Sequence, residues 1–293
     1  MAGQGPVYKD RYWNSPEGLK LHYRDYDGPL EGPPLLCLPG LTRNARDFEP
    51  VAAAFAPKHR VIAVDFRGRG LSDPDPDPTR YEPRTYVADI LKLLDQLGIA
   101  DAIFVGTSLG GIVTMLLASI EPERIAAALL NDIGPQLETA GLDRIKDYVS
   151  RGMQAASFEE AATAYSTGMS DVYPRWGKGE WETFARRVLH EKDGKVRSDY
   201  DLAIGRNVVA GEDSAPMDAW HLLEGLKDAP VTILRGEHSD LFSTSVAERM
   251  VEALPNAELV TVPDVGHAPS FDEAESIEAL ANLIERVPDW KDA

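Results

Sequence analysis

One cysteine among 293 residues, Cys37, excludes a disulfide within the chain. It sits in the apolar run Leu35-Leu36-Cys37-Leu38, where a small buried thiol is expected. No run of about eighteen apolar residues exists to cross a membrane as a helix. Basic residues are also scarce: 30 Lys and Arg stand against 48 Asp and Glu, a formal charge of −18. A phosphate backbone needs a basic footprint, so nucleic acid is not an expected partner. The acidic surplus fits solubility and does not by itself call for a cationic substrate. The start, Met1-Ala2-Gly3-Gln4-Gly5-Pro6, has neither a basic stretch nor an apolar core, so no secretory leader and a cytoplasmic location are expected.

What the chain does have is a regular alternation of apolar and amphipathic segments. Residues Arg11–Trp13 and Lys20–Tyr26 read as an antiparallel pair turned at Asn14–Gly18. Short apolar strands are expected at Leu35–Leu38, Val61–Asp65, Ala102–Val105, Ala126–Leu130, Val231–Leu234 and Ala257–Val262. Between them lie helical patterns at about Ala45–Phe55, Tyr86–Leu97, Gly111–Ala118, Thr244–Leu254 and Asp272–Val287. Strands that are apolar throughout, alternating with amphipathic helices, indicate a mostly parallel sheet covered on both faces. The run Asp73-Pro74-Asp75-Pro76-Asp77-Pro78 lacks the glycine of an EF-hand loop and reads as a rigid, solvated loop.

The rhythm fails between Gly134 and about Trp220, a stretch rich in Met, Tyr and Trp. Helical spacing at Phe158, Ala161, Ala162 and Tyr165 predicts a small helical insertion, residues 136–219, in a core of residues 1–135 and 220–293. Lying between two strands, it should cover the carboxyl edge of the sheet as a cap. Its aromatics, Trp176 among them, predict an apolar wall that selects substrates by shape and not by charge.

Chemistry is signalled by Gly106-Thr107-Ser108-Leu109-Gly110, which joins an apolar strand to a helix. The turn strains the serine and pushes its hydroxyl out, and the flanking glycines let strand and helix close up; this is a nucleophile elbow. A serine needs a base. Of six histidines, only His267 sits in a loop beyond the last strand, in Pro263–Pro269, while His22, His59, His190, His221 and His238 read as structural, exposed or loop neighbours. A carboxylate must orient the base. Asp240, in Arg235-Gly236-Glu237-His238-Ser239-Asp240, is the candidate, with Glu237 and Asp132 as competitors; Asp132 also stands at a strand's carboxyl end. Two amides for an oxyanion are expected from Leu109 and from Leu41 in the loop Leu38–Thr42. Arg43 of that loop either reaches the pocket or is a solvated charge.

These blocks, with Asp65-Phe66-Arg67-Gly68-Arg69-Gly70-Leu71-Ser72 and Gly266-His267-Ala268-Pro269, resemble the α/β-hydrolase superfamily over residues 20–135 and 220–290. The resemblance implies a mostly parallel eight-stranded sheet with flanking helices, an inserted helical cap and a triad of Ser108, Asp240 and His267. Dehalogenases and epoxide hydrolases of that fold use an aspartate nucleophile, where this chain has Ser108. Meta-cleavage-product hydrolases carry Asn and Trp where Thr107 and Ala268 stand, and haloperoxidases an aromatic where Leu41 stands. The chain then looks most like capped carboxylesterases and enol-lactonases. The expected activity is hydrolysis of a small-molecule ester or lactone through an acyl-enzyme, with Arg43 and Trp176 as substrate contacts and no metal or organic cofactor. A carbon–carbon hydrolase and a non-catalytic small-molecule receptor are the alternatives.

Overall fold

Eight strands form one sheet: β1 (Lys9–Asn14), β2 (Lys20–Tyr26), β3 (Leu35–Leu38), β4 (Val61–Val64), β5 (Ala102–Thr107), β6 (Ile125–Asn131), β10 (Val231–Gly236) and β11 (Ala257–Val262). Their order is β1-β2-β4-β3-β5-β6-β10-β11, with β2 antiparallel to both neighbours and the remaining pairings parallel. The computed structural model describes residues 6–29, 32–206 and 218–287. The first five residues, on which the leader reading rests, and residues 207–217 of the insertion lie outside them.

Strands β3, β4 and β10 bury every side chain and β5 all but Thr107 at its carboxyl end, as a sheet covered on both faces requires. Helices α1 (Glu49–Phe55), α2 (Pro83–Leu97) and α3 (Leu109–Ala118), with Thr244–Ala253 and Ala274–Glu285, supply the covering layers. Proline pre-forms the first turn of α1 and α2, and Gly98, left-handed at φ 65°, ends α2. The helix expected over Ala45–Phe55 is a 3₁₀ turn, Ala45–Phe48, that runs into α1.

The insertion differs from its expected form. Helices α4 (Thr139–Val149), α5 (Phe158–Met169) and α6 (Lys178–Val188) are accompanied by a three-stranded antiparallel sheet of β7 (Gln154–Ala155), β9 (Lys195–Ser198) and β8 (Leu189–Lys192). Strands this short and partly exposed, around the turn Asp193-Gly194, carry too little apolar alternation to stand out in the sequence.

The acidic proline run is also not simply solvated. Asp73 accepts a hydrogen bond from the Lys20 amide and Asp77 caps a 3₁₀ turn, but Asp75 is buried against Arg67. Arg67, fully buried, donates to both oxygens of Asp89, to Asp75 and to Glu17. A guanidinium taken out of water needs its donors filled; the loop contributes Asp75, and α2 and the β1–β2 turn supply Asp89 and Glu17. Next to it, the buried Arg69 donates through Nε to the Leu41 carbonyl at 2.9 Å and through Nη1 to the Arg67 carbonyl and the Tyr86 hydroxyl. The loop after β4 thereby supports the loop after β3.

Candidate active site

Ser108 sits between β5 and α3 with φ 51° and ψ −112°, a backbone that a side chain rarely adopts. A Cβ on Gly106 would meet the Gly110 carbonyl oxygen at 2.6 Å, so only glycine lets strand and helix cross so closely. Leu109 opens α3, and its N–H, at the first helical position, has no carbonyl within the helix to bond. Leu41 follows β3 on the same edge, its carbonyl held by Arg69 and its side chain lining the cavity that Ser108 faces.

His267 comes from the loop after β11. Its Nε2 lies 3.0 Å from Ser108 Oγ and its Nδ1 lies 2.7 Å from Asp132 Oδ2. Asp132 follows β6 directly, is fully buried, and has a positive φ of 55° that turns its carboxylate back under the sheet edge. It also accepts from the Gly236 amide at 2.8 Å and from Ser239 Oγ at 2.6 Å. Three donors thus fix the carboxylate in one orientation.

Asp240 is not the partner of His267. It forms a two-pronged ion pair with Arg144 of α4, at 2.6 and 2.8 Å, and this pairing holds its carboxyl below the usual range. The expected loop after β10 is used differently: Ser239 and Gly236 brace Asp132, while Asp240 ties the core to the insertion. The competitor on the earlier strand occupies the place assigned to Asp240. Glu237, the other competitor, anchors its loop, accepting from the Asp264 amide at 3.0 Å. His22 is structural, its ring held between Asp65 and Asp10 at 2.7 and 2.9 Å.

Insertion and core enclose a cavity of about 420 Å³ beside Ser108 and His267. Met153, Tyr165, Met169 and Phe184 from the insertion supply apolar wall, as its composition suggests. Arg43 and Arg144 also line the cavity, so the wall is not purely apolar. Trp176 does not line it. Its ring stacks on Tyr173 at 3.7 Å between centroids and packs against Trp181 and Phe184 behind the wall. Tyr173 takes the lining position instead, its hydroxyl donating to the Ala268 carbonyl at 2.7 Å beside His267. Aromatic spacing alone does not separate two stacked rings into the one that faces the cavity and the one behind it.

A family model described as the alpha/beta hydrolase fold matches residues 33–274. The chain belongs to the α/β-hydrolase family. It is similar to the 3-hydroxybutyrate-oligomer hydrolase of Cupriavidus necator, with 33% identity over 88% of this chain and 90% of that protein. It is 31% identical to the 2-(acetamidomethylene)succinate hydrolase of Mesorhizobium japonicum over 87% of this chain and 88% of that one. The crystal structure of an alpha/beta hydrolase from Novosphingobium aromaticivorans superposes with a TM-score of 0.92 at 46% identity, covering 97% of this chain and all of that one. The eight-stranded, mostly parallel sheet and flanking helices are those of this hydrolase family. Among the described residues, no helix is long and apolar enough to cross a membrane.

Proposed function

We propose that this α/β-hydrolase cleaves carboxylic esters through an acyl-enzyme, with Ser108 as nucleophile, His267 as base and Asp132 as the orienting acid. The observation that carries the reading is the unbroken relay from Ser108 Oγ to His267 at 3.0 Å and from His267 to Asp132 at 2.7 Å. Asp132 receives the Nδ1–H, which leaves the Nε2 lone pair for the Ser108 proton. Ser108 Oγ attacks the ester carbonyl, and the amides of Leu41 and Leu109 hold the negative oxygen that forms. His267 then gives its proton to the departing alcohol. Water, deprotonated by the same ring, attacks the acyl-enzyme and returns Ser108. A lactone is the same bond closed into a ring and fits the same steps. The relative named as a 3-hydroxybutyrate-oligomer hydrolase supports an ester as the substrate. In this reading the segment 136–219 is the cap that walls the cavity in which substrate and the hydrolytic water meet Ser108.

The test is turnover of short ethyl esters, together with labelling by a fluorophosphonate that reacts only with an activated serine. Wild type should hydrolyse the esters and take up one label at Ser108. Ser108→Ala should lose both, with activity down by about 10⁴-fold or more and an unchanged melting temperature. A vinylogous diketone cleaved in preference to every ester would move the reading to carbon–carbon hydrolysis.

A further inference from the structure

We infer that the cavity takes an ester that also bears a free carboxylate, and that Arg43 holds that carboxylate. The inference rests on the ester-hydrolase reading and gives it a substrate class. Arg43 stands two residues beyond Leu41 in the loop after β3. Its stem and Ser108 flank the same glycine: a Cβ built on Gly40 would lie 3.4 Å from Arg43 Cγ and 3.8 Å from Ser108 Cβ. The Arg43 stem therefore starts beside Ser108, and the residue lines the cavity that Ser108 faces.

Its surroundings leave one side of the guanidinium for a ligand. Asp47 takes one edge, with Nη2 donating to Oδ1 at 2.8 Å. Nε lies 2.7 Å from Oδ2, but off the N–H axis, so that contact is an ion pair and not a hydrogen bond. The Phe184 ring covers one face at 4.5 Å. Among the described residues, no protein acceptor takes a hydrogen bond from Nη1. The side chain is partly exposed where it lines the cavity, so Nη1 is open to a ligand there, and a carboxylate is the ligand whose two oxygens match the guanidinium fork. Asp47, one turn away at i+4, lines the cavity beside Arg43 and fastens the loop, and it leaves Nη1 for a ligand.

The packing of the Arg43 stem and Ser108 against the same glycine sets the spacing inferred for the ligand. Carboxylate and scissile carbonyl should be only a few bonds apart, as in half-esters of short dicarboxylic acids and in short hydroxyacid esters with a free acid end. The carboxylate takes no part in the bond changes. Water adds across the ester, giving acid and alcohol.

The experiment compares monoethyl glutarate with ethyl pentanoate by pH-stat, alongside calorimetric titration with glutarate. Wild type should favour the half-ester by about 10- to 100-fold in kcat/KM, chiefly through KM, the range expected of a hydrogen bond to a charged group. Arg43→Met should bring the ratio close to one and remove glutarate binding. Asp47→Asn, which frees the second edge, should widen the ratio. A wild-type ratio of one or below, or an Arg43→Met variant that lowers both esters equally and still binds glutarate, overturns the inference. Glutarate binding that depends on Arg43, without turnover of either ester, would sink the ester-hydrolase reading and leave the carboxylate site standing.

Discussion

His267 Nδ1 meets Asp132 Oδ2 at 2.7 Å, and Asp132 is the residue that directly follows β6. The carboxylate that His267 meets therefore stands one strand nearer the serine than the expected position after β10, since β6 lies between β5 and β10 in the sheet. The vacated position is not idle. Ser239 donates to the same Asp132 oxygen, and Asp240 pairs with Arg144.

Asp132→Asn should lower kcat by a factor of roughly 10⁴, because an amide cannot hold the imidazole in the tautomer that accepts the serine proton. Asp240→Asn should leave kcat within a few fold and act on the insertion instead, by loosening the Arg144 pair. Steady-state kinetics on one ester with both variants decides it. A large loss in Asp240→Asn with near-normal Asp132→Asn would return the acid to the loop after β10.

Most of the scaffold was legible because its signals are local. Six expected strands of the core lie within one or two residues of the observed ones, and Gly106, Ser108 and His267 stand where strand, turn and loop patterns place them. The acid was less legible because two aspartates, 132 and 240, each follow a strand that ends on the same edge. What separates them is three-dimensional: the positive φ of Asp132, its bonds from Gly236 and Ser239, and the presence of Arg144 opposite Asp240. The buried place of Asp75 is hidden from the sequence for a similar reason. Alternating prolines describe a stiff loop, but nothing local shows that a buried arginine from the loop after β4 awaits one of its carboxylates.

That arginine leads to a stability prediction. Arg67 and Asp89 share two hydrogen bonds at 2.9 and 2.6 Å in the interior. Burial pushes the Asp89 carboxyl up to about 6 against the pull of Arg67. Asp89→Ala leaves the guanidinium with Asp75 and Glu17 only and creates a cavity, and should cost about 3 to 5 kcal/mol. Urea unfolding followed by tryptophan fluorescence would measure it; a loss under about 1 kcal/mol would mean that the remaining carboxylates suffice.

Cys37, fully buried in β3, has its thiol pushed well up by desolvation. The thiolate is the reactive form, so Cys37 should resist a disulfide reagent in the native protein and react promptly in denaturant. Its modification rate would then report global opening of the sheet centre. Fast labelling of the native protein would contradict the packing described for β3.

The last prediction concerns how the oxyanion loop is held. Arg69 is 1% exposed, donates through Nε to the Leu41 carbonyl at 2.9 Å, and has its other arm on Arg67 and Tyr86. Its backbone also bridges to Tyr200 of the insertion, and the next amide, Gly70, donates to the Asp199 carbonyl at 3.1 Å. On the proposed mechanism Arg69 touches no reacting atom and would act through Leu41 as a positioning residue. Arg69→Lys keeps the charge but loses the fork that reaches Leu41 and Tyr86 together. Removing an oxyanion donor outright costs about 10² to 10³ in kcat, and a loosened donor should cost less, about tenfold to a hundredfold, with KM nearly unchanged. A purely structural role would instead lower the melting temperature and the amount of active enzyme while kcat per labelled serine stayed constant. Titrating active sites with a fluorophosphonate before measuring kcat separates the two, and a constant kcat per labelled site would remove Arg69 from the positioning role.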